Sequence, residues 1–158
     1  MTCAFGQSKP EAKEVGILLT SIDSGADIVS AEYLMYGQIK ADGIKFVENP
    51  FGKPLAPTVL TKMLAGEKEV TREVFAKSKL TLAVLGRMTY KFRPSSIDKD
   101  LFVCDLVLLY RIVNRAGDIV HSDQLSAPGT GYSEATSLDM AVGRLITKLY
   151  PALVVLAK

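Results

Sequence analysis

The chain has 158 residues, 48% of them hydrophobic and 23% charged, with a formal net charge of +2. That length and apolar content suit one folded domain with a real core and exclude a largely disordered chain. The charge is small and the basic residues are spread along the sequence, so no phosphate-tracking face and no nucleic-acid partner is expected.

One His and two Cys are too few for a structural zinc site of the Cys/His type, and no metal or other cofactor is expected. No run of about eighteen apolar residues occurs, which argues against a transmembrane helix. Residues 1–13 are polar and carry Gly6 and Pro10; they read as a flexible N-terminal tail ahead of a single α/β domain over residues 14–158. The opening MTCAFGQSKP has no apolar region before a cleavage site, so it is not an intact signal peptide. Two readings stay open: a cytoplasmic protein, or an exported one whose leader is missing. Under the second, Cys3 is a candidate lipidation remnant, and membrane contact would come only through such an anchor.

Glu14 to Ile22 is a short apolar run that predicts a strand. From Ala26 to Ala41 the apolar residues recur at helical spacing, and Asp42-Gly43 ends the pattern before a second short strand at Ile44–Glu48. Strand, helix and strand in this order make a βαβ unit with a parallel crossover. Pro57 suits the first turn of a helix that stops at Gly66, and Glu67–Ser78 predicts a second, more charged one. Glu69 with Arg72 and Glu73 with Lys77 stand at ion-pair spacing on that helix.

Leu80–Phe92 predicts a long strand whose second half alternates, with Gly86 as a bulge or a close backbone approach. Phe102–Val113 is apolar at almost every position and predicts a central strand covered on both faces. Asp105 and Arg111 are its exceptions, roughly 20 Å apart on one face and too distant to pair. Gly117 supplies the positive φ of a hairpin turn, and residues 118–127 return as a strand. A glycine-rich corner, Gly129-Thr130-Gly131-Tyr132-Ser133, leads into a helix capped by Ser133, with Leu138, Ala141, Val142, Leu145 and Leu149 on one stripe. Leu106, Leu108 and Ile112 should meet Leu138, Val142 and Leu145 in the core. Pro151 should stop the helix, and Leu153, Val154, Val155 and Leu156 should then form a short strand or an interaction segment.

The order β-α-β-α-α-β-β-β-α predicts a mixed sheet with a parallel N-terminal half, an antiparallel C-terminal meander and helices on its faces. A strand ending in Leu85-Gly86-Arg87, the turn Asn114-Arg115-Ala116-Gly117-Asp118, and an exit through Gly129–Ser133 into a small-residue helix resemble a bacterial cell-envelope domain family. Its members include the curli-secretion lipoprotein, the middle domain of flagellar-assembly protein T, the penicillin-binding-protein activator lipoproteins and PelC. The first strand ends Leu18-Leu19-Thr20-Ser21 rather than in the family's apolar–Pro–Phe, and long amphipathic hairpins are lacking. The resemblance therefore implies a periplasmic or outer-membrane-associated scaffold member rather than a pore, one that forms a homo-oligomer and docks protein partners.

No catalytic constellation is legible. His121 is the only histidine, and of its neighbours Ser122 and Asp123 only Asp123 shares its strand face; it reads as an exposed strand residue. Cys104 lies in the most apolar strand, where a thiol is inert, and pairing it with Cys3 is not expected. Gly129, Thr130, Gly131 and Ser133 precede a helix and form a candidate anion corner, but no Walker lysine follows. The expected function is thus a non-enzymatic scaffold or accessory protein of an envelope assembly or secretion machine. The alternative is a cytoplasmic small-molecule or nucleotide-binding protein that uses the Gly129–Ser133 corner.

Overall fold

The computed structural model describes residues 13–21, 44–47, 51 and 55–157. The expected helix at 26–41, most of the 49–54 connector, the tail before residue 13 and Cys3 lie outside the described residues. Five strands, β1 (Lys13–Ser21), β2 (Ile44–Val47), β3 (Leu82–Pro94), β4 (Phe102–Asn114) and β5 (Ile119–Gly131), form one sheet in the order β2-β1-β3-β4-β5. β1 runs parallel to β2 and β3, while β3, β4 and β5 are antiparallel neighbours. The mixed sheet is the one the element order predicts.

Helix α1 (Pro57–Ala65) begins on Pro57 and ends at Gly66, whose φ of 87° is left-handed. Helix α2 (Lys68–Ala76) follows at once, and α3 (Glu134–Ala157) closes the chain. Ser133 caps α3 reciprocally with Thr136: its hydroxyl accepts from the Thr136 N–H at 3.2 Å, and its own N–H donates to Thr136 Oγ1 at 3.1 Å.

The first face of the sheet lies under α3. Cys104, Leu106, Leu108, Tyr110 and Ile112 alternate along β4 and pack with Ala141, Val142, Leu145, Ile146 and Leu149, and half-buried Leu138 closes the contact. The predicted core is therefore present. α3 does not stop at Pro151, however. The ring removes one backbone donor, which costs about 3 kcal/mol in a helix interior. Leu153, one turn beyond Leu149, is buried at 4% exposure, and Leu156 also packs on the core. Burial worth about 1.5–3 kcal/mol per large apolar side chain offsets the proline, so the expected C-terminal strand is helix.

Gly129 and Gly131 are also placed differently from expectation. They are not a corner but the end of β5, paired with Cys104 and Phe102. A Cβ on Gly129 would collide with the Ser137 carbonyl oxygen and the Ala141 nitrogen, and one on Gly131 with Thr136 and Ser137. These glycines let α3 lie directly on the strand. Gly86 is no bulge, since the register runs unbroken through it, opposite Tyr110. The irregularity lies at Val120, between the pairs Ile112–His121 and Val113–Ile119.

Among the described residues, the second face carries a helix-covered core at one end. Leu60, Met63, Phe75 and Leu80 bury Ala83, Leu85 and Val113 beneath α1 and α2. Farther along β4 on this face, Asp105 and Leu109 are exposed and Val107 is half-buried before Val103 is buried again, so β4 is not covered on both faces throughout as expected. The charges of α2 are used differently too. Lys68 pairs with Asp118 at 2.6 Å, and Arg72 donates to the Ala116 carbonyl at 2.7 Å. These bonds fasten the helix to the β4–β5 turn; among the described residues the Glu69–Arg72 and Glu73–Lys77 pairs do not form. Gly117 has a φ of 83°, and a Cβ there would press on the Lys68 backbone, so the turn demands glycine twice over.

Candidate functional site

The register lays out the second face row by row. Arg87, Thr89, Lys91 and Arg93 of β3 stand beside Leu109, Val107, Asp105 and Val103 of β4; beyond these come Gln124, Ser126, Pro128 and Thr130 of β5. No described element lies over the middle of this field. Leu109 is 51% exposed at its centre. Arg93 pairs with Asp105 at 2.9 Å, which leaves Arg87, Lys91 and Arg111 without an acid in ion-pair reach among the described residues. Where the field meets α1, Leu64, Arg87, Leu109, Arg111, Ser122 and Asp123 are among the residues that line an open groove of about 240 Å³. Arg87 donates to the Thr61 hydroxyl, which itself donates to the Pro57 carbonyl at 2.9 Å.

The free side of β5 is closed rather than inviting. Residues 122, 124, 126, 128 and 130 form one alternate row of the strand. Pro128 has no N–H to give, and two cations of α3 reach over this row: Arg144 donates to the Pro128 carbonyl at 2.8 Å and Lys148 to the Ser126 carbonyl. The Gln124 N–H is taken by the Asp123 carboxylate at 2.7 Å. Occupied carbonyls, a proline and a bonded amide mark this row as the outer one and blunt it against another strand. The sheet edge that composition alone would offer for strand addition is thus capped by the chain itself.

The other sequence candidates do not converge. His121 is half-buried rather than exposed, and its Nε2 lies 3.0 Å from the Tyr110 hydroxyl. Burial first, then the nearby Asp123 carboxylate, pushes the Tyr110 phenol above its ordinary pKa, so it remains a phenol that can donate to the imidazole. Among the described residues no serine or cysteine nucleophile joins the pair. Cys104 is a free, buried thiol whose pKa is raised by burial and then by Asp105, the condition of an unreactive cysteine.

Thr130 is exposed and its hydroxyl points to Met140 Sδ at 3.6 Å, while Ser133 is used as the helix cap. Gly129, Thr130, Gly131 and Ser133 therefore form a strand end and a cap. In the C-terminal segment Leu153 is core, Val154 and Leu156 are half-buried, and only Val155 is exposed, at 73%. The sequence alone does not mark Arg87, Lys91 and Arg111 as a site. The alternation of β3's second half was their signal, since it places Arg87, Thr89, Lys91 and Arg93 on one face. Arg144 and Lys148 carried no signal, because their carbonyl partners are distant in sequence.

No family model and no curated protein matches this chain. Solved structures do share its fold. Hypothetical protein CT253 from Chlamydia trachomatis superposes with a TM-score of 0.62 at 9% identity, over 90% of this chain and 95% of that one. A minor lipoprotein from Acinetobacter baumannii does so with a TM-score of 0.53 at 11% identity, over 91% of this chain and 94% of that one. The chain thus has, across nearly its whole length, a fold also found in a bacterial lipoprotein.

Proposed function

We propose that this chain is a non-enzymatic accessory protein of a bacterial cell-envelope assembly, acting through contacts with other proteins and as a homo-oligomer. The observation that carries this reading is the half-covered second face: a field of cations around Leu109 on a sheet whose other face packs against α3. A face of this kind, with an aliphatic centre and a polar surround, is suited to docking rather than to chemistry. The fold shared with the Acinetobacter baumannii minor lipoprotein supports the envelope setting, and so does the sequence resemblance to the curli-secretion and penicillin-binding-protein activator lipoproteins. Attachment through a lipidated Cys3 belongs to the same reading.

Fractionation of native cells combined with in-cell cross-linking tests the proposal. The protein is expected in the envelope fraction and in cross-linked species heavier than the 17.1 kDa chain. Recovery from the cytosol, solely at monomer mass, would overturn it.

A further inference from the structure

The cations of the second face are not treated alike. Arg93 has its carboxylate, Asp105, at 2.9 Å. Arg87 and Arg111 have none among the described residues, although both are half-buried. Arg87 spends a bond on the neutral Thr61 hydroxyl, and Arg111 makes no hydrogen bond to a described residue. Asp123 contributes to the groove wall, but the register places it opposite Tyr110 rather than in the arginine row, one of its oxygens accepts the Gln124 N–H, and it forms no ion pair with Arg87 or Arg111. Arg87 stands opposite Leu109, and Arg111 is two residues on along β4, so the two arginines are diagonal neighbours on one face. Partly dehydrated guanidiniums side by side repel one another and favour a shared oxyanion, which their planar donors grip in bidentate fashion. Lys91 lies four residues from Arg87 on the same strand face, roughly 13 Å away. Thr89 and Val107 lie opposite one another in the row between.

We infer that this face docks an extended acidic segment of a partner protein. One carboxylate enters the groove between Arg87 and Arg111, an apolar side chain two residues on rests against Val107 and Leu109, and a second acid four residues on meets Lys91. Alternate side chains of an extended chain point the same way, so the motif read is acidic–x–apolar–x–acidic. A small anion would use the groove alone; the cation at Lys91 and the apolar strip between call for a polypeptide. The inference rests on the protein-contact reading above and names the chemistry of the partner.

Fluorescence anisotropy with the full chain and a short labelled peptide carrying Glu, Leu and Glu at alternate positions tests it. Saturable binding is expected, weakening with salt as screened charges require. The double variant Arg87→Gln, Arg111→Gln should lose at least about tenfold in affinity. The exposed Lys91→Gln, which leaves the groove untouched, should lose about two- to fivefold. A peptide with Lys in place of Glu should not bind, and one with its acids adjacent should bind more weakly.

Three results would overturn the inference: equal binding of the spaced and adjacent peptides; competition by inorganic phosphate with no gain from the peptide over free glutamate, which would mean a small-anion site; or a Leu109→Glu variant that changes only the chain's own mass in solution, which would mean a contact between copies. Failure of every peptide while the protein still cross-links in the envelope fraction sinks this site and leaves the functional reading standing. Recovery as a cytosolic monomer sinks that reading whatever the peptides do.

Discussion

The two halves of the second sheet face are made by the same strands, yet one is core and the other is surface. At the covered half, Ala83, Leu85 and Val113 lie under α1 and α2 and are fully buried. At the open half, Arg87, Thr89 and Gln124 surround an exposed Leu109. The β3–β4 ladder, unbroken through both, does not distinguish them. What does is the reach of two nine-residue helices, each about 14 Å long, against thirteen-residue strands about 43 Å long. An apolar strand therefore says where it sits in the sheet order, not how much of each face will be roofed.

The sharpest way to break this comparison is to truncate neighbours on β4. Leu108 points into the α3 core and is fully buried, while Leu109 points to the open half. Leu108→Ala should cost about 2–5 kcal/mol in urea unfolding, the range for buried leucines. Leu109→Ala should stay within about 0.5 kcal/mol, as surface changes do. Equal losses would mean that the open half is covered in solution.

A smaller contrast probes the packed face through its glycines. Gly129→Ala forces α3 away from β5, because the new methyl meets helix backbone, and should cost about 1–3 kcal/mol. Gly143→Ala, on the same helix with open space around it, should instead stabilise by about 0.4–1 kcal/mol. Thermal melts of the two variants should move in opposite directions.

The smallest effect concerns the tie that holds α2 to the covered half. The Lys68 hydrogen bond, then one from Asn114, holds the Asp118 carboxyl below its usual pKa. A depressed carboxylate stabilises the fold above the ordinary aspartate pKa, about 3.9, and that contribution is lost as pH falls through the lower folded value. Asp118→Asn should therefore melt below wild type at neutral pH, and the two melts should converge in acid. A gap that persists once both chains are below that range would show that Asp118 acts through something other than its charge.

Much of this was legible because it is local or strictly periodic. Pro57, Gly66, Gly117 and Ser133 each announce a helix start, a stop, a turn or a cap by chemistry within a few residues. Leu138, Ala141, Val142 and Leu145 reveal the face of α3 by spacing alone. The misreadings all concern elements whose fate is decided at a distance. Pro151 reads as a stop until Leu153 is seen in the core. Gly129 and Gly131 read as a corner until α3 is seen lying on them. The open half was illegible because no feature of β4 reports how far α1 and α2 extend, and Arg87 and Arg111 become a pair only through the β3–β4 register.

The cations that close the outer row of β5 also set a clock. Arg144 and Lys148 follow by more than a dozen residues the end of the strand whose carbonyls they occupy, at Gly131. During synthesis, at about 5–20 residues per second, the hairpin precedes its lock by about one to three seconds. Through that interval the nascent meander carries a bare edge thirteen residues long and no helix over its apolar face. Neighbouring chains on one polysome would meet at this stage, edge to edge, before either could protect itself. Slow translation of α3 would lengthen the exposure, so the codons of this helix bear on yield as well as on stability.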